Sequence, residues 1–166
     1  MTFLIRFLRF MPLAVVLGIL TGCFNGADAA SNDETARALQ VYKSRTCQCC
    51  DLWGQHMQDA GFEIRAHHPT DLNSVKNAHG IAPEFQSCHT AVTAEGDVFE
   101  GHVPARFIQQ YLENPPADGR GLSVPGMPVG SPGMEVGDRF MPYKIWLLKK
   151  DGSTEIFATV ESRDQQ

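Results

Sequence analysis

Between Ala38 and Gly61 the hydrophobic period of the sequence changes once, and the change falls on Cys47-Gln48-Cys49-Cys50. Before it, Ala38-Leu39-Gln40-Val41-Tyr42 alternates with the two-residue period of a strand and runs into the polar Lys43-Ser44-Arg45-Thr46. After it, Leu52, Trp53, Met57 and Ala60 fall on one side of a helix over residues 51–60, and Gly61 supplies the stop. A strand that hands a cysteine-rich turn to a helix start is a βα unit, and the rest of the chain has to be read around it.

Downstream, Phe62-Glu63-Ile64-Arg65-Ala66 alternates as a second strand. Residues 71–79 read as a short polar helix with Asp71 as N-cap and Gly80 as its end. Residues 90–93 and 98–100 flank Ala94-Glu95-Gly96-Asp97, a hairpin signal, and Pro104 opens a helix running to Leu112. A βαβ unit followed by ββα is the element order of thioredoxin-like α/β domains. Five Pro and five Gly fall within residues 115–134, which predicts a long loop without regular structure. In it, Pro125-Gly126-Met127-Pro128 recurs in shortened form as Pro132-Gly133-Met134. Residues 143–148 and 154–158, joined by Lys150-Asp151-Gly152-Ser153, then predict a C-terminal hairpin outside a minimal thioredoxin core.

The N-terminus lies outside this scheme. Arg6 and Arg9 precede an apolar segment ending at Leu20, the pattern of an export signal over residues 1–22. Leu20-Thr21-Gly22-Cys23 resembles the lipobox of bacterial lipoproteins, a resemblance that implies lipidation at Cys23 and, with Phe24 rather than Asp after it, outer-membrane anchoring in a diderm. Ala27-Asp28-Ala29 is a rival cleavage site that would release a soluble periplasmic protein. The expected organisation is a signal over residues 1–22, a tether over 23–37, one domain over 38–160 and a tail over 161–166. Fourteen Lys and Arg face 19 Asp and Glu, and without residues 1–22, which hold two Arg and no acid, the formal charge is −7. Binding to nucleic acid by phosphate neutralisation is thereby disfavoured. The only expected membrane contact is the N-terminal anchor.

Four cysteines remain in the domain: Cys47, Cys49, Cys50 and Cys88. Thiols at a helix N-terminus face unpaired amides and the positive end of the dipole, which favours thiolate and therefore both redox attack and metal ligation. Lys43 and Arg45 act in the same direction. As staples three crowded cysteines do little, since closing Cys47 to Cys50 stabilises by ~2 kcal/mol, against ~4 kcal/mol for closure onto Cys88. Two chemical readings use the same atoms. In a thiol–disulfide oxidoreductase, Cys47 attacks and Cys50 resolves. In a soft-metal site, Cys47, Cys49, Cys50 and Cys88 hold Cu(I). The third thiol favours metal, because Cys49 would scramble exchange but adds a ligand. Zinc fits less well, since structural zinc draws two closely spaced ligand pairs and Cys88 stands alone. His89 and His102 are further candidate ligands or proton shuttles, and Met127 and Met134 offer thioethers suited to Cu(I). His67 and His68 read as surface residues, and His56 as a packing residue.

Val41-Tyr42-Lys43-Ser44 before Cys47-Gln48-Cys49-Cys50, then Ala60-Gly61-Phe62, Ser87-Cys88-His89-Thr90-Ala91, Glu100-Gly101-His102-Val103-Pro104 and the doubled Pro-Gly-Met loop form five separated motifs over residues 39–150. In that order they resemble a bacterial family of unknown function whose members include the CopG copper-resistance proteins. The resemblance implies a periplasmic, thioredoxin-like, metal-binding protein connected with copper resistance, its site formed by the C-x-C-C thiols and the cysteine of S-C-H-T. Those positions are Cys47, Cys49, Cys50 and Cys88 here. The implied fold would bring the segment entering the third strand, with Cys88, against the cysteine turn. No Pro lies between Pro83 and Pro104, a departure from ordinary thioredoxins, which place a cis-Pro there. Other periplasmic copper proteins are the implied partners.

Overall fold

The computed structural model describes residues 37–166. The export signal, Cys23, the rival cleavage site and almost all of the tether lie outside the described residues. The elements run β1 (Ala38–Lys43), α1 (Gln48–Asp59), β2 (Glu63–His67), α2 (Leu72–Ala78), a 3-10 turn (Pro83–Phe85), β3 (His89–Val92), β4 (Val98–Gly101), α3 (Ala105–Glu113), β5 (Gly119–Val124), β6 (Tyr143–Lys149), β7 (Thr154–Val160) and a final 3-10 turn (Arg163–Gln165). All seven strands form one mixed sheet in the order β2-β1-β3-β4-β5-β6-β7. The β1–β2 and β4–β5 pairs are parallel and the other four are antiparallel.

The core is continuous beneath the sheet: Leu39 and Val41 of β1, Phe99 of β4, Leu122 of β5 and Ile145 of β6 pack with Trp53 and Met57 of α1 and Ile108 and Tyr111 of α3. Helix α1 buries Cys50, Trp53, Gly54 and Met57, a stripe spaced i, i+3, i+4, i+7. Leu52, expected on the inner side, is instead exposed, because it stands one residue and about 100° from Trp53. The helix also begins earlier than the expected residue 51, at Gln48 with Cys47 as N-cap, because the buried stripe itself starts at Cys50.

Asp71 caps α2 as expected, accepting from the Asn73 and Ser74 amides. Pro104 is the N-cap of α3. The expectation of an irregular 115–134 segment is corrected by β5, which pairs with β4 and β6. Its glycines fit there because the strands approach closely: Gly121 has φ +143°, and a Cβ on it would lie 1.8 Å from the Val98 carbonyl oxygen. Residues 126–134 do form a loop of turns, closed by bonds such as Gly130 N–H to the Met134 carbonyl.

Candidate metal centre

Three chain segments converge where β1 ends. The first is the start of α1. Cys47 and Cys50 are joined by a disulfide with Cα atoms 5.4 Å apart, while Cys49 and Cys88 are free. Cys50 is buried and the other three sulfurs are half-buried. The second segment enters β3. Pairing Lys43 with His89 across β1 and β3 sets Cys88 against the helix start, with its Sγ 3.5 Å from Cys50 Sγ. Cys49 Sγ stands 3.5 Å from Cys47 Sγ. Each bonded sulfur thus has a free thiol beside it, and all four sulfurs lie within 4.8 Å of one another. Among the described cysteines the sole disulfide is the short-loop one, and Cys88 is not a staple.

The third segment follows β4. His102 Nε2 lies 3.0 Å from Cys88 Sγ, and its Nδ1 lies 2.8 Å from the Pro132 carbonyl. A carbonyl only accepts, so Nδ1 carries the proton and Nε2 presents its lone pair to Cys88. Cys88, His89 and His102 form a second group with donor atoms within 4.8 Å. His89 is fully buried, its Nδ1 3.3 Å from Cys88 Sγ and its ring 4.3 Å from that of Trp53. Its Nε2 makes no hydrogen bond of ordinary geometry. Burial pushes His89 well below the usual histidine range, helped by His102, Lys76 and Lys43, with the Gly101 carbonyl opposing. Burial also lowers His102. Burial, then the neighbouring Cys49, pushes the Cys88 thiol up to about 12, so in this disulfide-bonded form it is a thiol donating toward His102.

The Pro-Gly-Met loop brackets the cluster. At its near end the Gly126 amide donates to Gln86 and the Ser87 hydroxyl donates to Gly126. At its far end Gly133, φ +83°, lies so close to α1 that a Cβ would sit 2.5 Å from the Cys49 carbonyl oxygen and 2.7 Å from Trp53 N. Met127 follows the near end and is exposed, and Met134 follows the far end half-buried. The other histidines lie elsewhere. His67 is exposed, stacks on Tyr42 and bonds Gln40; His68 is half-buried against the Lys43 carbonyl; and His56 accepts the Ala105 amide at the start of α3.

Sequence reasoning missed the polar residues beneath the cysteines. Lys43, expected to favour thiolate, is not one of these: it is buried, its ammonium 2.9 Å from Asp51 and 3.2 Å from the Ser44 carbonyl. Lys76 and Glu100 form a fully buried ion pair at 2.5 Å. Glu100 had a faint signal, an acid inside the apolar Val98-Phe99-Glu100 strand; Lys76, in a short polar helix, had none. The donor set of thiols and imidazoles, with no carboxylate in either group, fits a soft thiophilic ion and not a hard cation. Without metal, the same arrangement supports thiol–disulfide exchange, since a free sulfur lies beside each bonded one.

Two solved structures of a copper resistance protein CopG, designated form 1 and form 2, match this chain at 41% and 40% identity. Each match covers 74% of this chain and 96–97% of the other, with a TM-score of 0.70. The chain belongs to the CopG family. A family profile described as a protein of unknown function, DUF411, matches residues 85–134 of this CopG-family chain, the stretch holding Cys88, His89, His102 and the Pro-Gly-Met loop. A search of curated proteins finds no match.

Proposed function

We propose that this chain is an exported copper-handling protein that takes up Cu(I) on Cys47, Cys49, Cys50 and Cys88, with His89 and His102 as accessory donors. The observation that carries the reading is the meeting of four cysteine sulfurs within 4.8 Å where α1 begins and β3 is entered. Clustered thiolates select Cu(I) over hard cations, and the solved relatives are named for copper resistance. The strand order β2-β1-β3-β4, with α1 joining the parallel pair, supports a thioredoxin-like core extended by β5, β6 and β7. The export signal supports a periplasmic site of action, with lipidation at Cys23 holding the protein to the outer membrane.

Uptake is coupled to thiol redox state in this reading. The Cys47–Cys50 bond needs two electrons and two protons from a thiol reductant before all four sulfurs can ligate. In the opposite direction, two thiolates give one electron each to two Cu(II), forming the Cys47–Cys50 bond and two Cu(I). The test is anaerobic titration of the reduced protein with Cu(I) against a competing chelator, counting protected thiols. Tight binding with four protected thiols is expected, and Cys88→Ser should weaken it while the fold persists. Weak binding with thiols left free would defeat the reading.

The disulfide at the helix start favours one alternative, a periplasmic thiol–disulfide oxidoreductase using Cys47 and Cys50. It requires dithiol or disulfide turnover that survives Cys49→Ser and metal-free conditions.

A further inference from the structure

A buried ion pair beneath the site calls for explanation, because burying two charges costs solvation that their attraction often fails to recover. Lys76 and Glu100 are 2% and 0% exposed. The bonds that Glu100 makes are more informative than its charge. One carboxylate oxygen, Oε1, accepts the Ser87 amide at 2.6 Å and the Lys76 ammonium at 2.5 Å. The other, Oε2, accepts the Thr90 hydroxyl at 2.6 Å, and Lys76 also donates to that hydroxyl at 3.0 Å. Ser87 and Thr90 are the residues on either side of Cys88-His89, and Glu100 itself stands two residues before His102. The contact is reinforced at Gly101, φ +73°, where a Cβ would fall 2.6 Å from the Ser87 side chain.

We propose that Glu100, paired with Lys76, is a positioning residue that clamps Ser87 and Thr90 and so fixes Cys88 and His89 against His102. The inference rests on the Cu(I) reading of the cysteine cluster. Neither residue touches the metal in this account. Their work is to hold the β3 entry at the distance where the Cys88 sulfur reaches both Cys50 and His102. Outer partners of this kind typically change metal affinity by about 10- to 100-fold when removed.

The clamp and the charge are separable by two double variants of the full chain. In K76M/E100L the acceptor is gone; in K76M/E100Q the ion pair is equally absent, but an amide oxygen still faces the Ser87 amide. The clamp predicts at least about a tenfold loss of Cu(I) affinity for K76M/E100L and recovery to within a few-fold of wild type for K76M/E100Q. A second readout needs no metal: the rate at which iodoacetamide alkylates Cys88 in the disulfide-bonded protein should rise for K76M/E100L and return toward wild type for K76M/E100Q. Wild-type affinity and alkylation in a folded K76M/E100L protein would overturn the proposal, as would equal losses in both variants. Should K76M/E100L not fold, Thr90→Val removes one of the clamp's links with little change in shape, and an unchanged alkylation rate there would count equally against it. If the wild type itself binds no Cu(I), the copper reading fails, while the alkylation comparison still decides the clamp.

Discussion

At the residue scale the site is an arrangement of lone pairs. Because His102 Nδ1–H donates to the Pro132 carbonyl, the Nε2 lone pair is left facing Cys88. His102→Asn separates these roles: its amide NH₂ occupies the place of Nδ1–H and can still donate to Pro132, but nothing replaces Nε2. The expected outcome is a folded protein whose Cu(I) affinity, measured by chelator competition, falls about tenfold. Wild-type affinity in that variant would remove His102 from the site. The cysteines and His102 were legible in the sequence, because thiols three apart at a period change, and a histidine just before a proline-opened helix, are local patterns. Lys76 was not, because what makes it unusual is the Glu100 carboxylate across a tertiary contact 24 residues away. Nor could spacing alone decide that Cys47 pairs with Cys50 while Cys88 stays free.

At the element scale the strands and helices followed from period and punctuation, and the misreadings mark where tertiary contact overrode them. Strand β5 was hidden by Gly119 and Gly121, which local propensity assigns to turns. Only the neighbouring backbone at Val98 explains why a side chain is excluded at Gly121. Leu52 faces solvent because the buried stripe of α1 is set by Cys50 and Trp53 together. The same reasoning makes the Pro-Gly-Met loop a packed element. Gly133→Ala places a methyl against the backbone of Cys49 and Trp53 at a positive φ, so the loop or the first turn of α1 must shift. We expect a loss of about 2 kcal/mol or more in urea unfolding, together with altered Cu(I) stoichiometry. Gly137→Ala, also at positive φ but with nothing within 4 Å of the added carbon, should cost only about 1 kcal/mol and leave binding unchanged. Equal effects of the two would mean that the loop does not press on the helix start.

At the scale of the whole molecule, the fold lowers the pKa of three histidines, two in the site and His56 outside it, and this couples folding to pH. His89, His102 and His56 all have their pKa lowered in the fold, burial being the largest cause in each. The sign follows from proton counts. Below the ordinary histidine value of about 6.5 the unfolded chain binds protons that the folded chain refuses, so the unfolded state gains on acidification. The stability these groups contribute is fully present above that value and is lost as pH falls through and below it. For a fully buried histidine the slope approaches about 1.4 kcal/mol per pH unit, and it is smaller for half-buried His56. Glu100 works in the opposite sense. Its pKa is raised, again chiefly by burial with Lys76 opposing, so the folded protein holds that proton more tightly and recovers part of the loss at the acid end. Urea unfolding of the metal-free, disulfide-bonded protein should therefore show lower stability at pH 5.5 than at pH 7.5, with net proton uptake on unfolding. In His89→Gln the slope should be shallower than in wild type. A wild-type curve flat across that window, with a slope unchanged in His89→Gln, would mean that His89 accepts a proton inside the fold, which is incompatible with the lone-pair arrangement of the candidate metal centre.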